Sequence, residues 1–108
     1  MNTYERQLDA LGDPTRRAIL DMLRRGPRPV GELASRLPVS RPAVSQHLKI
    51  LKEAGLVADR RNGTRRVYQV NPDGLAGLRT YLDAFWGTAL SNLKAVAESD
   101  HRKRRRKQ

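Results

Sequence analysis

The chain has no cysteine, only two histidines, and few aromatics, which make up 5% of its 108 residues. Without thiols there is no disulfide, no thiolate metal site and no thiol redox sensor. The two histidines, His47 and His101, are far apart. With no phosphate-cradling glycine loop and no metal-ligand spacing beside them, no catalytic constellation is present, so neither an enzyme nor a cofactor is expected. No apolar run approaches the length of a membrane span or a signal-peptide core, which points to a cytoplasmic protein with no membrane partner. Hydrophobic residues amount to 38%, a low share for one domain that fills its core alone, so a second copy is expected to supply part of it. Acids are scarce too: 11 Asp and Glu stand against 22 Lys and Arg, a formal charge of +11.

So strong a basic excess points to a polyanionic partner, nucleic acid before anionic membrane. Arg102, Lys103, Arg104, Arg105, Arg106 and Lys107 carry six of the positives. Between residues 41 and 70 seven more (Arg41, Lys49, Lys52, Arg60, Arg61, Arg65, Arg66) face two acids, Glu53 and Asp59.

The stretch that organises the rest covers residues 37–52. Pro38 disfavours helix at Leu37, Ser40 is an N-cap type, and Pro42 fits a first turn, so a helix should begin at Arg41. At 3.6 residues per turn Val44, Leu48 and Leu51 line one side, with His47 on its edge. Arg41, Pro42, Ser45, Gln46 and Lys49 line the other, a set without acid. Arg pairs with guanine and Gln with adenine through two parallel bonds, so this face suits a DNA major groove. A merely solvated face is the alternative. Before it, Val30, Leu33, Ala34 and Leu37 fall on one side of a short helix, and the two together read as a helix-turn-helix.

Upstream, Tyr4, Leu8 and Leu11 recur at helical spacing, giving a first helix over residues 3–11. Asp13-Pro14 opens a second, whose stripe is Ala18, Ile19, Met22 and Leu23, and Gly26-Pro27 stops it. Arg16 and Arg17 oppose the dipole of that helix in its first turn. Solvation, phosphate contact and pairing with a neighbouring helix's acids are all open for them. Downstream, Gly55 fits a left-handed C-cap, and Asn62-Gly63 between extended segments signals a type I′ hairpin. A two-residue turn there sets Val57 opposite Tyr68, Asp59 opposite Arg66 and Arg60 opposite Arg65. Like charges across a ladder destabilise it, so the cluster Arg60, Arg61, Arg65 and Arg66 makes sense on a ribbon that straddles phosphates; four solvated arginines are the alternative. Asn71-Pro72 opens the last helix. Its stripe of Leu75, Leu78, Leu82, Phe85, Trp86, Ala89, Leu93 and Val96 is longer than so small a domain can cover, and aromatic anchors dominate interfaces. A homodimer is the expected outcome, packing within one chain the alternative. Residues 1–98 then form one domain, with dimerisation helices at both ends, and 99–108 a disordered basic tail.

Two helices, a helix-turn-helix, a basic hairpin and a long last helix make a winged helix-turn-helix, mainly α with a small β-hairpin wing. In this order the sequence resembles the ArsR/SmtB family of bacterial regulators. The matching residues are 11–20, Glu32-Leu33-Ala34, 40–51 around Val44-Ser45-Gln46-His47-Leu48, Ala54-Gly55-Leu56-Val57, 60–63 and Tyr68. The resemblance implies a homodimeric repressor on an inverted repeat in double-stranded DNA. It implies base contacts by Arg41, Pro42, Ser45 and Gln46, and backbone contacts by Ser40, Lys49, Arg60, Arg61, Arg65 and Arg66. The dimer interface would take Tyr4, Leu8 and Leu11 from the first helix and Leu78, Leu82, Phe85, Trp86, Ala89 and Leu93 from the last. Metal-sensing members place thiols in the helix matching residues 30–37, or acids and histidines along the last helix. Neither set is here, so no metal is expected, and a small-molecule effector is unknown. A non-specific nucleoid or RNA-binding protein is the rival reading, although few aromatic rings are available to stack on single strands.

Overall fold

The computed structural model describes residues 1–106. The chain runs α1 (Thr3–Leu11), α2 (Pro14–Arg24), β1 (Arg28–Pro29), α3 (Val30–Ser35), α4 (Arg41–Glu53), β2 (Val57–Asn62), β3 (Arg65–Val70) and α5 (Pro72–Arg106). Three helix starts follow from an oxygen-bearing side chain just ahead of a proline. The Asp13 carboxylate accepts from the amides of Thr15 at 2.8 Å and Arg16 at 3.1 Å. These bonds, the Arg16 amide foremost, hold its carboxyl below the usual range. The Ser40 hydroxyl accepts from the Ala43 amide at 3.3 Å, and Asn71 Oδ1 from the Asp73 amide at 3.2 Å. At the far end of α4, Gly55 sits in the left-handed region at φ 78°. Leu56 N–H there donates to Leu51 O and Gly55 N–H to Lys52 O, the paired bonds of a Schellman stop.

The three strands form one antiparallel sheet in the order β1-β3-β2. β1 is absent from the pattern-based reading. It is two residues long and exists because Arg28 and Pro29 pair with Tyr68 and Val67. The hairpin register also differs from expectation. Val57 lies opposite Val70, Asp59 opposite Tyr68, Arg61 opposite Arg66 and Asn62 opposite Arg65. The loop is therefore Gly63-Thr64 rather than Asn62-Gly63. Gly63 alone takes positive φ, at 66°, which is the type II′ requirement, glycine at the first central position. A type I′ turn would have forced Asn62 into that region as well. The like-charge pair survives as Arg61 against Arg66, not Arg60 against Arg65.

The chain divides into two units, Met1–Leu78 and Arg79–Gln108. The first holds a core of Ala10, Ile19, Leu23, Leu33, Val44, Leu48, Leu51, Ala54, Leu56, Val57, Val67 and Leu78, with Gln7 the one buried polar residue among those described. The buried side of α1 is Gln7 and Ala10, while Tyr4 and Leu11 are half-buried and Leu8 is exposed. Gln7 Nε2 donates to Gly74 O at 3.4 Å, which ties α1 to the first turn of α5. Gly74 approaches the preceding loop so closely that a Cβ there would lie 1.8 Å from Gly55 O.

The second unit is the remainder of α5. Leu82, Phe85, Trp86, Leu90, Leu93 and Val96 are all exposed along it, and Tyr81 meets Phe85 edge to face at 5.0 Å between ring centres. The helix continues through 99–106, where the composition pointed to an irregular tail. No Gly or Pro follows Gly87, and Lys and Arg are good helix formers. The last two residues of that expected tail, and the side chains of its basic run, lie outside the described residues. No described helix is long and apolar enough to cross a membrane.

Candidate nucleic-acid interface

Packing decides which side of α4 is free. Val44, Leu48 and Leu51 are fully buried and His47 half-buried, so Arg41, Pro42, Ser45, Gln46 and Lys49 face outward and all are exposed. This is the division expected from the helical period. Ser40, spent through its oxygen lone pair on capping, is exposed beside them and keeps its O–H to donate. No acid lies among these outward residues from Arg41 to Lys49; the exposed Glu53 follows only at the last residue of the helix.

The two arginines at the start of α2 bond to the end of α1 rather than to acids of another helix. Arg16 Nε donates to Ala10 O at 2.7 Å and Nη2 to Asp9 O at 3.4 Å, while Arg17 Nη1 donates to Leu11 O at 2.8 Å. The cations are unfavourably placed for their own helix but sit at the negative end of its neighbour, whose last carbonyls they satisfy. Arg16 Nη1 also lies 3.5 Å from His47 Nδ1, linking this cap to the half-buried edge of α4.

The wing is fastened to α4 by Asp59. Its side chain is 5% exposed, Lys52 Nζ of α4 lies 2.7 Å from it, and Arg66 of β3 donates to its other oxygen. Arg66 lies diagonally across the ladder from Asp59, which faces Tyr68, a distance long side chains span. The hydrogen bonds from Lys52 and then Arg66 hold the Asp59 carboxyl below the usual range, and Asp59 in turn raises Arg66. Arg60, Arg61 and Arg65 are exposed and form no ion pair among the described residues. Asp59 therefore neutralises the base of the wing while its tip stays cationic.

Between the wing and the helix-turn-helix runs a groove of about 510 Å³, lined by Pro29, Val30, Gly31, Glu32, Arg41, Thr64, Arg65 and Arg66. Glu32 accepts from Arg28 and lies 3.9 Å from Arg36, so its charge is already matched. No three His, Asp or Glu side chains among the described residues cluster as metal donors.

Of the anticipated interface positions on the last helix, Leu82, Phe85, Trp86, Ala89 and Leu93 are exposed. Leu78 is not: at 5% exposure it is part of the first unit's own core. On α1, Leu8 is exposed and Tyr4 and Leu11 are half-buried.

The family described as bacterial regulatory protein, arsR family, matches residues 13–59, from the start of the second helix into the first strand of the wing. The HTH-type transcriptional regulator Rv2034 of Mycobacterium tuberculosis is 59% identical over 103 residues, covering 93% of this chain and 96% of that protein. The transcriptional repressor SdpR of Bacillus subtilis is 44% identical over 62 residues, 57% of this chain and 69% of its own. Among solved structures, the homodimeric winged helix-turn-helix DNA-binding domain Mb0332 of Mycobacterium bovis superposes with a TM-score of 0.65 at 32% identity, covering 79% of each chain. An outward polar α4, a cationic wing and a near full-length relative thus agree, and the chain belongs to the ArsR/SmtB family of winged helix-turn-helix, DNA-binding transcriptional regulators, as a member without cysteine.

Proposed function

We propose that the protein is a homodimeric repressor that occludes an inverted-repeat operator in the cytoplasm. The observation that carries the proposal is the polar, cationic outward set from Arg41 to Lys49 on α4 beside a wing whose Arg60, Arg61 and Arg65 have no ion-pair partner among the described residues. Pro42, Ser45 and Gln46 read base edges, and Ser40, Lys49 and the wing arginines hold phosphates. The basic run at 102–107 adds charge without sequence information.

Dimerisation is supported by the bare Leu82, Phe85, Trp86, Ala89 and Leu93 of α5, with Tyr4, Leu8 and Leu11 of α1 as the second contribution. The Mycobacterium bovis domain is described as homodimeric, and the Bacillus subtilis relative as a repressor. In such a dimer two reader helices enter successive major grooves about 34–36 Å apart.

Affinity selection of sheared genomic DNA at about 150 mM salt, where purely electrostatic binding is weakened, tests the whole reading. A few enriched fragments sharing an inverted repeat are expected. Uniform recovery would replace it with charge-driven nucleoid binding. On the selected operator, Gln46→Ala should lose roughly 1–3 kcal/mol of discrimination while binding to unrelated duplex changes little; equal losses on both would remove Gln46 from base reading.

A further inference from the structure

Arg41 shares the outward side of α4 with Ser45 and Gln46 in the helical period, yet its guanidinium goes elsewhere. Nη1 lies 3.9 Å from the point a Cβ on Gly31 would occupy. The side chain reaches back toward α3 and lines the groove together with Arg65 and Arg66 of the wing. Arginines from two separate elements therefore border one concavity. Arg66 is matched by Asp59, and Glu32, the groove's carboxylate, is matched by Arg28 and Arg36. Arg41 and Arg65 have no ion-pair partner among the described residues. An open concavity bordered by two arginines without ion-pair partners suits an oxyanion, since guanidinium engages phosphate through parallel bonds.

We propose that the groove between α3, the first turn of α4 and the wing seats one phosphodiester of the DNA backbone, and that Arg41 is a phosphate-positioning residue, not a base reader. The inference rests on DNA being the ligand, as argued above. A phosphate gripped from both sides fixes how α4 is set in the major groove, because backbone contacts determine register and orientation while base contacts determine sequence. Ser45 and Gln46 are left as the polar readers. Arg41 makes their reading reproducible by anchoring the helix start.

The test is a salt titration of binding to the selected operator and to a scrambled duplex of equal length, for the full chain and for Arg41→Gln and Arg41→Lys. Arg41→Gln should weaken both duplexes by the same factor, roughly five-fold at 150 mM salt, and lower the salt slope by about 1. Arg41→Lys should restore the slope and most of the affinity, since a phosphate accepts a point charge where a guanine edge needs the fork. A loss confined to the operator with the slope unchanged would make Arg41 a base reader. No loss on either duplex would place the groove off the DNA. Both results overturn the proposal. The preference of the unaltered protein for operator over scrambled duplex, read in the same titrations, is what the repressor reading stands on, so the two ideas fail separately.

Discussion

Two helices of this chain carry apolar stripes at the same spacing of three and four, and they end in opposite surroundings. In α4 the stripe of Val44, Leu48 and Leu51 is 0% exposed. In α5 beyond Leu78, Phe85 is 60%, Trp86 67% and Leu93 65% exposed. Periodicity states only that a face is apolar. What covers it depends on the rest of the chain, and here the elements ahead of α5 are used up around the first core. The core of the DNA-binding half is complete within its own unit; the other half carries an apolar face that stands bare. Isolated apolar residues on a surface need no explanation, but an aromatic-bearing run along one helix does.

Truncating one residue on each stripe separates the two surroundings. Leu48→Ala should cost about 2–5 kcal/mol, the range for emptying a packed aliphatic site, with a urea midpoint that falls at every protein concentration. Trp86→Ala truncates a side chain that is largely exposed. It should leave the first unit's cooperative unfolding in place yet weaken self-association by about 2 kcal/mol or more, the scale of an interfacial aromatic anchor. Sedimentation over a concentration series reads this directly. An unchanged dimer would mean that the bare stripe of α5 faces something other than a second copy.

Glycines sharpen the same contrast at a smaller scale. In a helix interior Gly→Ala is worth up to about 1 kcal/mol of added stability. At Gly87 nothing lies within 4 Å of the added carbon, so Gly87→Ala should realise that gain. At Gly74 the carbon would sit 1.8 Å from Gly55 O, a backbone atom that cannot swing aside. Overpacking of this kind costs about 1–3 kcal/mol, which outweighs propensity, and Gly74→Ala should lower the melting temperature by several degrees. Equal effects at the two sites would show that the loop at Gly55 yields more easily than its packing implies. If Gly87→Ala lowered stability instead, a partner's side chain would have to occupy that space.

Helix starts were legible because capping is local: Asp13-Pro14, Ser40 with Pro42, and Asn71-Pro72 carry their instructions within a few residues. The outward set on α4 was legible for a similar reason, since one stripe and one period suffice. Four features escaped, and each depends on a distant partner. β1 exists only through Tyr68 and Val67. The roles of Arg16 and Arg17 depend on where α1 ends. Gln7 is buried because α1 packs on the start of α5, with Gly74 at the contact. The groove holding Arg41 needs the wing folded beside α3. The hairpin lies between these cases. Asn-Gly announced a tight turn correctly, but the choice between type I′ and II′ shifted the pairing by one residue on each strand, because Thr64 is content with negative φ and Asn62 is spared a positive one.

Asp59 tests whether the reading half is as self-contained as its core implies, because it is the one described carboxylate joining wing to reader helix. Its two partners are half exposed, Lys52 at 51% and Arg66 at 50%, so solvent and salt screen the pairing and Asp59→Asn should cost only about 1 kcal/mol at neutral pH. The sign of the pH dependence follows from the direction of the shift. The folded carboxyl titrates below its ordinary value of 3.8, so its contribution is fully present above that value and is lost as pH falls through the lower folded one. The gap between the original protein and Asp59→Asn should therefore be constant from neutral pH to about 5 and close below about 4, read as urea midpoints across that range. A gap that never narrows as far down in pH as the fold survives would assign the cost to shape rather than charge. In the same variant Lys52 and Arg66 are released to meet phosphate, so binding to scrambled duplex should become steeper in salt even as the fold weakens, and a flatter slope would mean that Asp59 holds those two cations where the DNA needs them.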